Sequence, residues 1–158
     1  MGRLLAYALE FRGEALPDGD GLVFRARAPS GTIETRVARD GVSSRHIVDD
    51  LAEEAMLQAR LAFRTDGSFT ARTTLDFGHG HRLFIETAGV GRLGDSADEH
   101  LRHGTAVFRV AGGVGQFRGA TGQVTSNFVL SDTGDLTDRQ VGIVFLGRAP
   151  VAARPWDD

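Results

Sequence analysis

"AMLQARLAFRTDGSFTARTTLDF", residues Ala55 to Phe77, alternates apolar and polar side chains with a period of two on both sides of a short turn. Ala55, Leu57, Ala59, Leu61 and Phe63 share one face, and after Thr65, Asp66 and Gly67 the alternation resumes with Phe69, Ala71, Thr73, Leu75 and Phe77. Successive side chains of a strand point to opposite faces, so this period marks half-buried β-structure. A loop of Thr65 to Gly67 pairs Phe63 with Phe69, Leu61 with Ala71 and Leu57 with Leu75. Both apolar sets then lie on one face, and Gly67 takes the left-handed bulge position. A loop one residue shorter would set the faces out of phase. A short helix over "VDDLAEEAMLQARLAF", capped by Asp49 or Asp50 ahead of Glu53 and Glu54, competes for the same stretch. Leu57, Leu61 and Phe63 suit the strand alternation better.

Outward from this hairpin the same reading gives strands at Leu4–Phe11, Leu22–Ala28, Thr32–Val37, Val42–Val48, Arg82–Thr87, Thr105–Val110, Gln123–Ser131 and Thr137–Leu146. About ten short antiparallel strands at close spacing predict a sandwich or a closed barrel. We expect an all-β, antiparallel, eight-stranded closed barrel of roughly eight to ten strands. At 158 residues the chain is the size of one ordinary domain. Residues 1–147 are read as that domain, and residues 148–158, with Pro150 and Pro155, as an irregular tail. In the last hairpin a loop from Asp132 to Asp135 pairs Phe128 with Arg139, Ser126 with Val141 and Val124 with Ile143. That register gathers Val124, Phe128, Leu130, Val141, Ile143 and Phe145 on one face. It sets Asn127 opposite Gln140, near Thr125 and Asp138, on the other. The amide pair is expected on the exterior, or, in a wet cavity, among the hydrogen-bonding groups that meet a ligand.

The chain holds 21 glycines, nearly twice the usual share, which implies many corners. "GGVGQFRGATG", Gly112 to Gly122, concentrates them. It lacks both the GxGxxG spacing and a following GK[ST], and a strand rather than a helix follows it, so it is no phosphate loop. Apolar strands flank it and Phe117 sits at its centre, so it is no linker. What remains is a bent β-corner in which Phe117 plugs a core.

With the preceding "GTAVFRV", this corner resembles the GGxGxFxxAxG segment of the dirigent proteins and the related allene oxide cyclase barrels. The likeness covers Gly104 to Leu146 well and the rest of the chain only by strand count. It implies an eight-stranded antiparallel barrel, often oligomeric, whose apolar cavity holds a small reactive hydrophobic intermediate during ring closure or coupling. A secretory signal like that of the plant dirigent proteins is not expected from "MGRLLAYALEFRGE", and no functional residue of those families transfers by position.

Composition excludes several classes. All 18 basic residues are arginine, and 21 acids outnumber them, leaving a net charge of −3, which argues against a nucleic-acid groove or an anionic membrane surface. Without cysteine there is no disulfide framework, zinc knuckle or thiol nucleophile. "MGRLLAYALEFRGE" has too short an apolar run for a signal peptide, and no stretch approaches the ~18 apolar residues of a membrane span, so a cytoplasmic location is expected.

The chemistry-bearing residues are few. Tyr7, the sole tyrosine, alternates with Leu5, Leu9 and Phe11 and is expected to point inward, where its hydroxyl needs a partner and can polarise a ligand carbonyl. His46 shares a face with Val42, Ser44 and Val48 and suits general acid–base work. Glu10 lies on the face of Leu4, Ala6 and Ala8, where apolar neighbours would raise its pKa and make it a base. His79, His81 and Glu86 have the HxHx4E spacing of the first cupin metal motif. The glycine expected six residues earlier is Thr73, however, and the second motif is absent. His100 and His103 fall in the polar stretch "GDSADEHLRHG". A glycine-rich hairpin end with solvated imidazoles is the preferred reading, and neither a metal nor another cofactor is expected.

Two functions of different class remain. The first is a cofactor-free isomerase or cyclase acting on a small conjugated intermediate, with Tyr7, His46 and Glu10 as catalytic candidates and Phe11, Leu61, Phe63, Phe117, Asn127 and Gln140 as ligand-binding ones. The second is a lipocalin-like carrier using the same cavity without chemistry. A cupin-like metal-dependent enzyme is the weaker third. Outward apolar residues such as Met56 and Phe84 lead us to expect a homodimer or trimer.

Overall fold

Among the described residues the chain forms eleven strands: β1 (Arg3–Asp18), β2 (Gly21–Ala28), β3 (Gly31–Ala38), β4 (Gly41–Val48), β5 (Ala55–Phe63), β6 (Ser68–Asp76), β7 (Arg82–Thr87), β8 (Gly91–Asp95), β9 (Leu101–Val114), β10 (Thr121–Ser131) and β11 (Asp135–Leu146). The computed structural model describes residues 2–48 and 53–147, the side chains of Thr32, Ile33, His46 and Val48 excepted. The expected tail and the Asp49–Ala52 part of the helix alternative lie outside these residues. From Ala55 onward that alternative is a strand. Pairing runs β1–β2–β5–β6–β7–β9–β10–β11 and back to β1, which closes an eight-stranded antiparallel barrel. The short β8 joins β6 to β9, and β3 with β4 forms a separate two-stranded hairpin.

The β5–β6 hairpin has the register its alternation demands, with Phe63 beside Phe69, Leu61 beside Ala71 and Leu57 beside Leu75. Gly67 closes its turn at φ +82°. Inward residues of every wall fill the axis. Phe24 and Phe69 meet Phe128 at ring-centroid distances of 5.2 and 5.9 Å, and Phe11 is fully buried. The barrel is therefore a packed core over most of its length, as small barrels are.

The glycine-rich stretch is a corner, as its sequence requires. Ile85 pairs with Val110 and Phe84 with Gly112, so β9 bulges by one residue opposite β7. A single 3-10 turn, Gly115–Phe117, then swings the chain into β10. Phe117 is buried beneath it, and a Cβ on Gly113 would lie 2.4 Å from that of Phe117, so only glycine permits the approach.

The register expected for the last hairpin is off by one. Val124 pairs with Gly142, Ser126 with Gln140, Asn127 with Arg139 and Phe128 with Asp138. The turn spans Asp132 to Gly134 rather than Asp132 to Asp135, because Gly134 at φ +90° gives a turn closed by a left-handed residue. One residue of slip moves the whole set to the other face. Val141, Ile143 and Phe145 point outward and are exposed, while Leu136, Asp138, Gln140 and Val144 point inward. Asn127 and Gln140 are therefore not a pair, since Asn127 is exposed on the outer wall and Gln140 is buried inside.

Candidate functional site at the Tyr7 end of the barrel

β1 pairs with β11 from Arg3 to Glu14 but with β2 only from Arg12 onward, because β2 ends at Ala28 and the chain departs into the β3–β4 hairpin. This leaves an opening beside the first half of β1. It forms a pocket of about 440 Å³ lined by Leu5, Tyr7, Leu9, Ala55, Phe77 and Phe117, with Ser30, Glu53, Glu54 and Gln116 among its polar groups. Phe77 meets the Tyr7 ring edge-on at 5.9 Å and lies 5.2 Å from Phe117, so three aromatic rings wall one side. A larger hollow of about 590 Å³ lies on the outer wall among Arg12, Arg25, Arg27 and Gln58. It has no aromatic lining, and the Tyr7 pocket is the better match to a small apolar ligand.

Behind Tyr7 runs a chain of polar side chains. The Tyr7 hydroxyl donates to Gln140 Oε1 at 3.3 Å, Gln140 Nε2 donates to Asp138 Oδ2 at 2.9 Å, and Ser126 Oγ donates to Asp138 Oδ1 at 2.6 Å. Ser126, Asp138 and Gln140 are all buried. The carboxyl accepts at both oxygens, which fixes the Gln140 amide with its carbonyl towards the phenol. Burial pushes the Tyr7 phenol well above its ordinary value, and the nearby Asp138 charge raises it further. The phenol is accordingly a neutral hydrogen-bond donor and not a phenolate base. Burial also raises Asp138 to about 6, against the lowering effect of its bonds to Ser126 and Gln140.

This shift has a measurable sign. In the unfolded chain Asp138 titrates near 3.8 and in the folded chain near 6. Its contribution to stability is fully present below the unfolded value and is lost as pH rises through the folded one, a change of about 3 kcal/mol. Urea unfolding between pH 4 and 7.5 should show the wild type gaining stability relative to Asp138→Asn as pH falls. A constant difference would mean that the carboxyl is not perturbed.

The structure divides the remaining candidates. Phe117 and Tyr7 line the pocket, Phe11 lies in the core, and Leu61 and Phe63 sit towards the far end of β5 from Ala55. The His46 side chain lies outside the described residues. Glu10 is not the raised base expected. It faces away from Tyr7 and accepts from Arg12 Nε at 2.7 Å and Arg139 Nε at 3.1 Å. Burial alone would raise its carboxyl, but the two guanidiniums hold it below the usual range.

The HxHx4E residues have separate partners. His79, at φ +53°, bonds Glu53 Oε1 at 2.7 Å, and that carboxylate raises its pKa. His81 Nδ1 accepts from the Gln116 backbone N–H, and Glu86 accepts from Arg109. Among the described residues no three potential metal ligands converge. Sequence reasoning missed Asp138 and Ser126. The signal was there, since both keep phase with inward Phe128 and Leu130 once the turn is three residues long. No helix among the described residues is long and apolar enough to cross a membrane. Comparisons with protein-family models, with curated proteins and with solved structures give no match.

Proposed function

We propose that this protein holds one small hydrophobic molecule at the Tyr7 end of its barrel and guides an isomerisation or cyclisation of that molecule without a cofactor. One observation carries the reading. In an interior filled mainly by aliphatic and phenyl side chains, a single phenol borders an open aromatic pocket, braced from behind by a buried amide and carboxyl. A buried polar chain of this kind is costly unless every member is satisfied, and it positions its last member closely. The Tyr7–Gln140 bond is long, so the phenolic hydrogen can turn to a ligand carbonyl at small cost. Donation there stabilises negative charge developing on that oxygen, beside the apolar wall of Phe77 and Phe117. The same rings restrict a flexible conjugated substrate to a reactive conformer. The dirigent-like corner at Gly112–Gly122 agrees with this reading, and a chain without cysteine suits a reducing cytoplasm.

A carrier is the second reading, favoured by the fact that the phenol already has an internal acceptor. Native mass spectrometry of the protein as purified, followed by incubation with candidate conjugated carbonyl compounds, separates the two. Catalysis predicts a product of identical mass and altered retention time. Tight binding without such a product would leave the carrier.

A further inference from the structure

The outer wall of β5, β6, β7 and β9 carries one row in which two charges of the same sign face each other. Arg60 of β5 stands directly opposite Arg72 of β6, Arg72 opposite Glu86 of β7, and Glu86 opposite Arg109 of β9. All four share the outer face. Glu86 is committed to one end of the row, since its Oε1 accepts from Arg109 Nε at 2.9 Å and from Nη2 at 2.5 Å. Arg60 Nε lies 3.6 Å from Asp18 Oδ2 without a hydrogen bond, and Arg72 has neither an ion pair nor a side-chain hydrogen bond among the described residues. Like charges directly opposite on one face of an antiparallel pair destabilise it. Even with Asp18 counted beside Glu86, three guanidiniums exceed two carboxylates by one charge, and Arg72 carries it.

The same arginines border a groove. It exists because β7 ends at Thr87 and the chain turns through Gly89, at φ +80°, before β8 begins at Gly91. Its volume is about 460 Å³, within the ~300–1,000 Å³ of small-molecule sites, and Ala62, Thr70, Thr87 and Gly89 line it beside the charged row. Thr87 Oγ1 accepts from the Ala71 N–H at 3.2 Å, which leaves the hydroxyl hydrogen to donate.

We propose that this groove is the binding site of a phosphomonoester whose dianionic head bridges Arg60 and Arg72. A phosphate monoester carries about −1.5 to −2 charge at pH 7, and its free oxygens accept from two guanidinium forks and a hydroxyl at once. A carboxylate has two oxygens and serves one fork, as Glu86 does for Arg109. The phosphate head thus matches, in charge and in acceptors, what the Arg60–Arg72 pair leaves unmatched, and it turns their repulsion into a shared attraction. Glu86 does not oppose it, because Arg109 already pairs that charge. Ala62 and Gly89 leave room beside the head for the body of the ester. One such groove on a chain of net charge −3 suits a single phosphate group rather than a polyanion. It shares no lining residue with the Tyr7 pocket, so the inference does not rest on that pocket's function.

Isothermal titration calorimetry of the full chain with inorganic phosphate and with glycerol 3-phosphate, at ionic strength held constant with sodium chloride, is the test. We expect saturable binding of both. Arg72→Gln and Arg60→Gln should each weaken it at least ~10-fold, because a charge-assisted hydrogen bond is lost. Arg25→Gln, which removes the same charge from the hollow beside β2, should bind as the wild type does. Thermal melting keeps folding in view. In chloride alone Arg72→Gln should melt no lower than the wild type, since it relieves the repulsion, and it should lose the rise in melting temperature that glycerol 3-phosphate gives the wild type. Co-sedimentation with phosphatidylcholine vesicles containing phosphatidic acid identifies the source of the head. Retention that depends on Arg72 assigns it to a lipid, and no retention beside glycerol 3-phosphate binding assigns it to a soluble ester. The proposal is overturned if none of these probes binds, if Arg72→Gln binds as well as the wild type, or if Arg25→Gln loses as much. Equal retention on phosphatidylserine vesicles, which carry charge without a monoester, overturns it too, as does a lower melting point of Arg72→Gln in chloride.

Discussion

Replacing Phe117 with alanine is expected to cost about 3–5 kcal/mol of stability, the range for deleting a fully buried aromatic ring. For a chain of this length that lowers the melting temperature by roughly 8–16 °C. Phe117 is 1% exposed, seals the turn between β9 and β10, and rests on Phe77, which in turn meets Tyr7. Its loss opens a cavity at the corner that glycines elsewhere in the stretch cannot fill. Thermal unfolding beside Val42→Ala, on the exposed face of the β3–β4 hairpin, gives the comparison, because surface changes of that kind stay within about 0.5 kcal/mol. A Phe117→Ala melting point within a degree or two of wild type would show that the corner is not the plug described.

Why the corner was legible in the sequence and the last hairpin was not follows from what fixes each. Phe117 had only one way to be accommodated among five nearby glycines flanked by strands, so its burial did not depend on counting. The β5–β6 register was legible because apolar residues alternate strictly on both strands, and only an odd loop brings the two sets together. β11 has no such signature. "TDRQVGIVFL" carries apolar residues at both parities, Val141, Ile143 and Phe145 at one and Val144 and Leu146 at the other. Hydrophobicity then favours the wrong face, and only the φ of Gly134 decides. The error blurs the site, because that register sets Gln140 with Asn127 on a face expected first on the exterior and only alternatively in a cavity, and gives Asp138 no role. Glu10 failed for a different reason. It lies on the face of Ala6 and Ala8 as read, but Arg12 two residues on shares that face and Arg139 reaches it across a pairing 129 residues apart, so its charge is compensated.

Tyr7→Phe should lower the rate of the proposed isomerisation by roughly 10- to 10,000-fold while changing ligand affinity little, since a lost proton or hydrogen-bond donor acts on the transition state more than on the bound ground state. The substitution keeps the ring against Phe77 and removes only the hydroxyl, so the pocket wall stays in place. It does leave Gln140 Oε1 without its donor, which costs about 1–3 kcal/mol of stability. The assay must therefore run well below the variant's melting temperature. A purely structural role for Tyr7 would reduce binding and rate together, or neither. The pH profile adds an independent check. Burial and the Asp138 charge hold the phenol neutral through the range near 10 where a free tyrosine ionises, so activity should show no loss from phenol ionisation between pH 8 and 10. Asp138→Asn removes a charge near the phenol and one acceptor of Gln140 but leaves the phenol in place, and should slow the reaction less than Tyr7→Phe does, because the amide can still point its carbonyl at the phenol. If the two variants lose rate equally, the buried chain rather than the phenol sets the chemistry. If Tyr7→Phe retains full rate, the donor is elsewhere in the pocket and the mechanism proposed for this end of the barrel fails.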